Sequence, residues 1–154
     1  MKGNKYNDNL RAALERKNVL IMAHRGVSCA NIVDNTIESY DAAIRQGADI
    51  VEVDVCASLD GDLFVLHDGM EPAVLGQQES IVHMHTAEIR SLRYLNKNNT
   101  RIDHPINTFD EVLEHLKGRC LINICLLYTS VFFTHAHLDR LIFVLFIYKS
   151  GGAL

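Results

Sequence analysis

Apolar runs of strand length alternate with segments of helical spacing along the first 125 residues of the chain. Residues 19–23 are a continuous apolar run, as expected for a strand that is buried on both faces, and residues 120–127 are a further candidate for a buried strand. Residues 50–58 alternate between the two faces of a strand, and residues 63–67 form a second short apolar run. Helical spacing is found in four segments, which are residues 9–17, 36–46, 86–95 and 109–116. This succession predicts βαβ units, and therefore a parallel α/β fold with right-handed crossovers.

Polar residues that can cap a helix precede the last three helical segments. Asp34 or Asn35 is placed to cap the second helix, Thr86 the third and Thr108 the fourth. Residues 70–81 lack helical spacing and contain proline and glycine, so they are predicted to form a loop.

The dipeptide Asp60-Gly61 separates the two central apolar runs and is a strong hairpin signal, because a two-residue type I′ turn needs positive φ at both positions. With that turn, Asp54 on the first strand lies opposite His67 on the second. Glu52, Asp54 and His67 are then predicted to share one face. Carboxylates two residues apart suit Mg²⁺ or Ca²⁺, and an imidazole suits proton transfer. The alternatives are a solvent-facing hairpin, or a bend between strands that do not pair.

The overall composition is that of one globular domain with a substantial core. The chain has 154 residues, of which 48% are hydrophobic and 22% charged, as in ordinary soluble domains. The formal net charge of -4 and the pI near 6.0 argue against nucleic acid as the main partner, because no basic stripe is present to meet a phosphate backbone. A small anionic substrate would need local positive charge or a metal.

The cysteine pattern indicates reduced thiols rather than a disulfide framework, since no CxxC spacing occurs. The four cysteines are Cys29, Cys56, Cys120 and Cys125. The N-terminus is polar without an apolar signal region, and no apolar run is long enough to span a bilayer. We therefore expect a soluble protein in a reducing compartment, the cytoplasm.

From about Leu126 the alternation of strand and helix signals stops. Two apolar runs, residues 131–133 and 141–148, lie close together without the loop and helix signals seen earlier. We expect residues 1–125 to form the domain. Residues 126–154 are expected to be a tail foreign to the fold, such as a frameshift, read-through or library artefact would add.

Four short motifs recur in order at the ends of predicted strands and before the second helix. They are His24-Arg25-Gly26, Asp34-Asn35-Thr36, Glu52-Val53-Asp54 and His67-Asp68. Their order resembles the glycerophosphodiester phosphodiesterase family, which carries an HRG motif, a PENT-like loop, an ExD strand, a DG turn and an HD motif. The resemblance covers residues 19–124. Each motif alone is weak evidence, whereas the ordered set is strong.

The resemblance implies a TIM-barrel-type fold with its active site at the C-terminal ends of the strands. Because such a barrel takes about 250 residues, this chain is expected to supply only its first half. The implied reaction is hydrolysis of a glycerophosphodiester to glycerol phosphate and an alcohol with a divalent cation, Mg²⁺ or Ca²⁺.

The resemblance also implies roles for the residues of the motifs. Glu52 and Asp54 would hold the cation. His24 and His67 would be the general base and general acid, because an imidazole titrates near working pH. Arg25 would bind a phosphoryl oxygen through its planar guanidinium.

Supporting roles are implied for three neighbouring residues, each with an alternative. Asn35 either contacts the substrate or caps the second helix. Asp34 stands where the family carries a glutamate, supports the site from behind, and could equally pair with Arg25. Asp68 either orients His67 or only ends the strand.

One departure from the family pattern concerns the third metal ligand. Family members carry a carboxylate on the strand matching residues 121–125, and here that place holds Cys125. A thiol is a soft ligand that suits Mg²⁺ or Ca²⁺ poorly.

Two rival interpretations stay open from the sequence. The first is a truncated barrel fragment that catalyses nothing, as the chain length and Cys125 would allow. The second is a metallo-β-lactamase-like hydrolase, which would bind zinc through His135, His137 and Asp139 of an HxHxD motif.

Overall fold

The computed structural model describes residues 5–126 and 143–144. Five strands and five α-helices, with one 3₁₀ turn, make up this part of the chain. The strands are β1 (Met22–Ala23), β2 (Ile50–Ala57), β3 (Leu63–Val65), β4 (Leu121–Leu126) and β5 (Phe143–Val144). The α-helices are α1 (Lys5–Arg16), α2 (Ile37–Arg45), α3 (Glu71–Val74), α4 (Thr86–Ser91) and α5 (Phe109–Leu116), and the 3₁₀ turn is Ile81–His83.

The sheet is built around β2, which confirms the parallel α/β prediction. The strand order is β1-β2-β4-β5 with every neighbouring pair parallel, and β3 runs antiparallel along the last residues of β2. One edge of β2 therefore serves β1 and then β3, while the other edge pairs with β4. Parallel strands joined by helical crossovers bring their carboxyl ends to one edge of the sheet, where a site can form.

The predicted two-sided burial of residues 19–23 is wrong. Val19, Ile21 and Met22 are 73%, 58% and 52% exposed. Within the described residues β1 forms only two ladder pairs, both with β2, so it is an edge strand with one open side.

The predicted hairpin register is wrong by one residue. Val55 pairs with Val65, and the amide of Ser58 donates to the carbonyl of Asp62 at 2.9 Å. The connection therefore has three residues, 59–61, and only its glycine has a positive φ, at +87°. Extending this ladder by one pair places Leu66, not His67, opposite Asp54. A slip of one residue moves every side chain to the other face, so the pairing argument that joined Asp54 to His67 does not hold.

The helix caps agree with the prediction in one of three cases. Thr108 caps α5 as expected, with its hydroxyl accepting from the amide of Glu111. Helix α2 is capped by Thr36 together with Ser39, so the prediction of Asp34 or Asn35 is wrong. The third predicted helix is shorter than expected, since α4 ends at Ser91 and its N-cap is His85.

Two clusters of buried side chains hold these elements together. The first lies between β2 and helices α2 and α5, and includes Tyr40, Val51, Val53, Val55 and Phe109. The second lies under residues 71–106, a segment that was expected to begin with a loop and contains α3. Its larger members are Phe64, Leu66, Leu75, Ile89 and Tyr94. In the described part of the chain, no helix is long and apolar enough to cross a membrane.

Candidate active site

Two buried carboxylates project from the middle of β2. Glu52 is 6% and Asp54 1% exposed. On the neighbouring parallel strand, Cys125 is in register with Asp54. A ligand atom from each of these three side chains lies within 4.8 Å of the others. The in-register pairing of β2 with β4 therefore groups three possible metal donors on one face of the sheet.

Arg25, two residues after the end of β1, contacts both carboxylates. The backbone amide of Arg25 donates to Glu52 Oε2 at 3.1 Å, and the Arg25 Nε atom lies 2.8 Å from Asp54 Oδ2. Arg25 has a φ of +58°, a left-handed conformation that is costly for a side chain of this size. Its carbonyl is held in place by the Asn35 amide and the Ser39 hydroxyl, both at 3.0 Å. Strain of this kind persists where surrounding contacts fix the backbone, as they do here.

Gly26 allows the loop after β1 to touch helix α2. Its φ is +80°, and a Cβ atom there would lie 2.4 Å from Ser39 Oγ and 2.6 Å from the Ser39 carbonyl carbon. The amide of Val27 donates to the Ser39 carbonyl at 3.0 Å. The close approach needs a residue without a side chain, which accounts for the glycine of the HRG motif.

Asn35 is buried against Asp54 and does not cap the helix. Its side-chain amide donates to Asp54 Oδ2 at 2.9 Å, and its side-chain oxygen accepts from the Tyr40 hydroxyl at 2.9 Å. Asn35 is only 3% exposed and has a φ of +57°. Burial raises the pKa of the Tyr40 hydroxyl well above its usual range, so this group stays a proton donor. Tyr40 and Asn35 therefore form a short chain of hydrogen bonds that orients the Asp54 carboxylate.

The electrostatics of the carboxylates reflect burial and mutual repulsion. Burial, followed by the charge of Asp54, raises the pKa of Glu52 to about 7. Burial, followed by the nearby Asp54, raises the pKa of the Cys125 thiol to about 12. At neutral pH Cys125 is therefore an uncharged thiol. Two hard oxygen donors suit Mg²⁺ or Ca²⁺, whereas a neutral thiol is a poor third ligand for either ion.

The two histidines border this acidic centre from different elements. His24 Nε2 lies 4.0 Å from Glu52 Oε2, and the His24 side chain is 70% exposed. His67 lines a small cavity together with Arg25, Asn35, Asp34 and others. Histidine and arginine thus share one cavity although the predicted β-hairpin pairing is absent.

The backbone carbonyl of Asp68 orients His67. The ring Nδ1 of His67 lies 2.6 Å from the Asp68 carbonyl oxygen, so Nδ1 carries the proton in this hydrogen bond and Nε2 is left for chemistry. The Asp68 carboxylate accepts a short hydrogen bond from the Ser80 hydroxyl.

Two supporting residues were not expected from the sequence. Ser39 holds the Arg25 carbonyl, and Tyr40 holds the Asn35 side chain. The helical spacing predicted that Tyr40 faces the core from α2. Hydrophobic periodicity does not predict which group accepts the hydrogen bond from its hydroxyl. The HxHxD motif of His135, His137 and Asp139 lies outside the described residues. Of the expected foreign tail, the structure describes only Leu126, in β4, and Phe143–Val144, which forms β5 and pairs with β4.

The fold and the site together define a class: an incomplete TIM-barrel-type α/β domain with an acidic centre and a half-buried arginine next to it. The sequence of residues 24–131 matches the family model of the glycerophosphoryl diester phosphodiesterase family. The chain therefore belongs to that family.

Relatives and solved structures agree with this assignment. A Mycobacterium tuberculosis protein named as a probable glycerophosphodiester phosphodiesterase is 36% identical over 74 residues, which are 48% of this chain and 27% of that protein. The crystal structure of glycerophosphodiester phosphodiesterase from Agrobacterium tumefaciens superposes with a TM-score of 0.68 at 29% identity, covering 86% of this chain and 58% of that one. A phosphodiesterase from Oleispira antarctica, solved in complex with the product sn-glycerol-3-phosphate, superposes with a TM-score of 0.58 at 27% identity, covering 70% and 44%. The chain thus spans about a quarter of the curated relative it matches.

Proposed function

We propose that this chain contributes the first half of a site that hydrolyses glycerophosphodiesters to glycerol phosphate and an alcohol. The observation that carries the proposal is the contact of Arg25 with both Glu52 and Asp54 at the carboxyl ends of the strands. Arg25 links the two carboxylates to the cavity that His67 lines, and His24 lies 4.0 Å from Glu52, which supports the proposal. A family match and a bound sn-glycerol-3-phosphate in the Oleispira antarctica relative support the substrate class.

Arg25 is proposed to bind the phosphoryl group. Its Nε forms an ion-pair contact with Asp54 Oδ2 at 2.8 Å, and its two terminal nitrogens would donate to phosphoryl oxygens. The Arg25 side chain is 19% exposed, and it lines the cavity that also holds His67. A planar donor pair in a partly desolvated cavity suits an anionic diester better than a lysine would.

The two imidazoles are proposed to move protons. In His67, Nδ1 donates to the Asp68 carbonyl, so Nε2 would be the nitrogen that reacts, as a general acid when protonated or as a base when neutral. His24 lies beside Glu52 and is largely exposed, so it can exchange protons with solvent. One imidazole would accept a proton from the attacking hydroxyl while the other donates a proton to the leaving alcohol.

Glu52 and Asp54 would hold the divalent cation that this family is associated with. When bound, Mg²⁺ or Ca²⁺ would neutralise phosphate charge and lower the pKa of an oxygen nucleophile. Asn35 and the Arg25 amide fix one oxygen of each carboxylate, which keeps the pair oriented. Cys125 lies where a third ligand would be, but a neutral thiol binds Mg²⁺ or Ca²⁺ poorly. We therefore expect this chain to bind the cation with low affinity.

The test is release of glycerol phosphate from glycerophosphocholine by the full chain with Mg²⁺ or Ca²⁺. Activity that disappears in both Glu52→Ala and His67→Ala, while both variants keep the circular dichroism of the parent, supports the proposal. Activity unchanged in either variant contradicts it. No release above background by a folded parent chain would favour the fragment that catalyses nothing.

A further inference from the structure

The segment that carries His67 is held by hydrogen bonds to its own backbone. The Met70 amide donates to the His67 carbonyl at 3.1 Å, and the imidazole Nδ1 lies 2.6 Å from the Asp68 carbonyl oxygen. A carbonyl oxygen can only accept, so the ring nitrogen that faces it carries the proton, and the hydrogen bond selects one tautomer. The orientation of the Asp68 peptide therefore decides which nitrogen of His67 is protonated.

The side chain of Asp68 is anchored by a serine from the segment that follows α3. The Ser80 hydroxyl donates to Asp68 Oδ1, and the same hydroxyl oxygen accepts from the Val82 amide at 3.4 Å. A serine hydroxyl has a single proton, and here that proton is directed to the carboxylate. Ser80 thus links the Asp68 carboxylate to the start of the 3₁₀ turn.

The backbone next to Ser80 is fixed by the buried core. The Ile81 amide donates to Glu71 Oε1 at 3.0 Å, and the Glu71 side chain is almost completely buried. Ile81 is fully buried in the second cluster of apolar side chains. Ser80 is therefore attached to a rigid part of the domain, and its hydroxyl can hold Asp68 in one position.

We propose that Ser80 is a positioning residue for His67 and acts on it through Asp68. Its hydroxyl holds the Asp68 carboxylate, which fixes the Asp68 carbonyl and keeps the proton of His67 on Nδ1. The other ring nitrogen, Nε2, is then the one that reacts. The catalytic consequence rests on the proposed function, whereas the tautomer of His67 can be measured whether or not the chain is active.

Nitrogen-15 NMR of the full chain measures the tautomer, because protonated and unprotonated ring nitrogens differ in chemical shift. Loss of one imidazole signal in His67→Gln assigns the resonance. We expect neutral His67 to carry its proton on Nδ1 in the parent and to become a mixture of both tautomers in Ser80→Ala. Ser80→Thr keeps the hydroxyl and should restore the parent spectrum. An unchanged tautomer in folded Ser80→Ala would overturn the inference.

A second variant separates the hydrogen bond to Asp68 from the capping of the 3₁₀ turn. Ser80→Asp keeps an oxygen that can accept from the Val82 amide, but an ionised carboxylate has no proton to donate and repels Asp68. We expect the same mixture of tautomers as in Ser80→Ala. If Ser80→Asp kept the parent tautomer, capping alone would account for Ser80 and the inference would fail.

Ser91 provides a matched control on helix α4. Its hydroxyl also makes a local hydrogen bond, donating to the Glu88 carbonyl at 2.6 Å. Ser91→Ala therefore removes a hydroxyl of the same kind without touching Asp68, and the His67 spectrum should not change. The same loss of tautomer in both alanine variants would mean a general loosening of the domain and would overturn the inference.

Hydrolysis of glycerophosphocholine tests the catalytic consequence. We expect Ser80→Ala to lower kcat about tenfold and to leave KM within about twofold, because proton transfer is impaired while phosphate binding at Arg25 is kept. Ser80→Thr should recover most of the rate. A kcat equal to that of the parent in Ser80→Ala would overturn the inference. If the tautomer changes as expected but the parent releases no glycerol phosphate, the proposed function fails and the positioning of His67 by Ser80 stands.

Discussion

Both faces of strand β2 are buried, but one face is part of the hydrophobic core and the other carries the candidate site. On one face Val51, Val53 and Val55 are fully buried against α2 and α5. On the other, Glu52 and Asp54 are almost as deeply buried and contact Arg25 and Asn35. Because side chains alternate between the two faces of a strand, β2 carries core residues that stabilise the fold on one face and buried carboxylates that destabilise it on the other.

The difference shows how the fold tolerates the acidic face. Each buried valine stabilises the native state by about 1.5 to 3 kcal/mol. Two carboxylates that are buried side by side cost free energy, and the raised pKa of Glu52, about 7, reflects that cost. Hydrogen bonds from Asn35 and the Arg25 amide offset part of the cost. A valine and a carboxylate on the same strand should consequently respond to substitution in opposite ways.

The largest expected effect is on catalysis, from the polar face. Glu52→Gln keeps an oxygen that can accept from the Arg25 amide but removes one carboxylate charge. We expect glycerol phosphate release to fall about 10³-fold, since several kcal/mol of transition-state stabilisation are lost. The metal-free variant should be at least as stable as the parent in urea. Activity within tenfold of the parent would contradict the role given to this residue.

The next effect is on stability, from the apolar face. Val53→Ala leaves a cavity against α2 and α5, because Val53 is fully buried in the first cluster. We expect the free energy of unfolding to fall by about 2 to 3 kcal/mol in urea titrations. Activity per folded molecule should stay unchanged at low temperature. If instead activity fell and stability did not, the two faces would not be separable.

A smaller effect follows from pH. The native pKa of Glu52, about 7, lies above its ordinary value of 4.5, so protonation favours the folded state. This contribution is complete below about pH 4.5 and is lost as the pH rises through about 7. In the presence of a chelator, the free energy of unfolding should fall by about 1 to 2 kcal/mol between pH 5 and pH 8, after allowance for solvent screening.

The matched variant for this pH dependence is again Glu52→Gln, which cannot titrate at this position. Urea titrations across the same pH range should show a flatter profile than the parent. A glutamine variant that keeps the parent's slope would assign the effect to another group.

The smallest effect concerns the neighbouring strand. Cys125→Glu adds a carboxylate beside Asp54, in register on β4, where the thiol is an unsuitable donor. We expect Ca²⁺ to bind about tenfold more tightly, corresponding to about 1.4 kcal/mol, since a hard ligand replaces a soft one. Calorimetric titration measures this, with Cys125→Gln as the uncharged control. Equal affinities in the two variants would remove Cys125 from the donor group.

Local sequence signals predicted one helix and the order of the parallel strands. Helix α5 runs over the predicted residues, because Thr108 caps it and apolar residues recur at helical spacing. The parallel order of β1, β2 and β4 also follows from alternating strand and helix patterns. The motifs identified the family through their order along the chain.

Predictions that depended on tertiary contacts failed. The dipeptide Asp60-Gly61 was expected to form a two-residue turn, but the Asp60 carboxylate accepts from the Thr86 amide at 2.6 Å and belongs to a three-residue loop. That contact joins residues 26 positions apart, and no local pattern reveals it. His67 nevertheless reaches the site, through the loop that follows β3 rather than through strand pairing.

The cap prediction at α2 failed for a related reason. Asn35 has the side chain of a good cap, but its amide is used to hold Asp54, and Thr36 takes the capping position instead. When a side chain has two possible hydrogen-bond partners, the tertiary structure decides which of them it contacts. Asn35 has a left-handed backbone conformation, with φ at +57°, in the arrangement that brings its side chain to Asp54.

The contact of Gly26 with Ser39 limits how this segment can change over evolution. Even alanine would collide with the backbone carbonyl carbon of Ser39, 2.6 Å away, which no rotamer can relieve. Gly61 has a similar φ of +87° but open space around it, so asparagine or aspartate could drift in there. Two glycines of like geometry therefore differ in mutational freedom, and only the one beside the helix is irreplaceable.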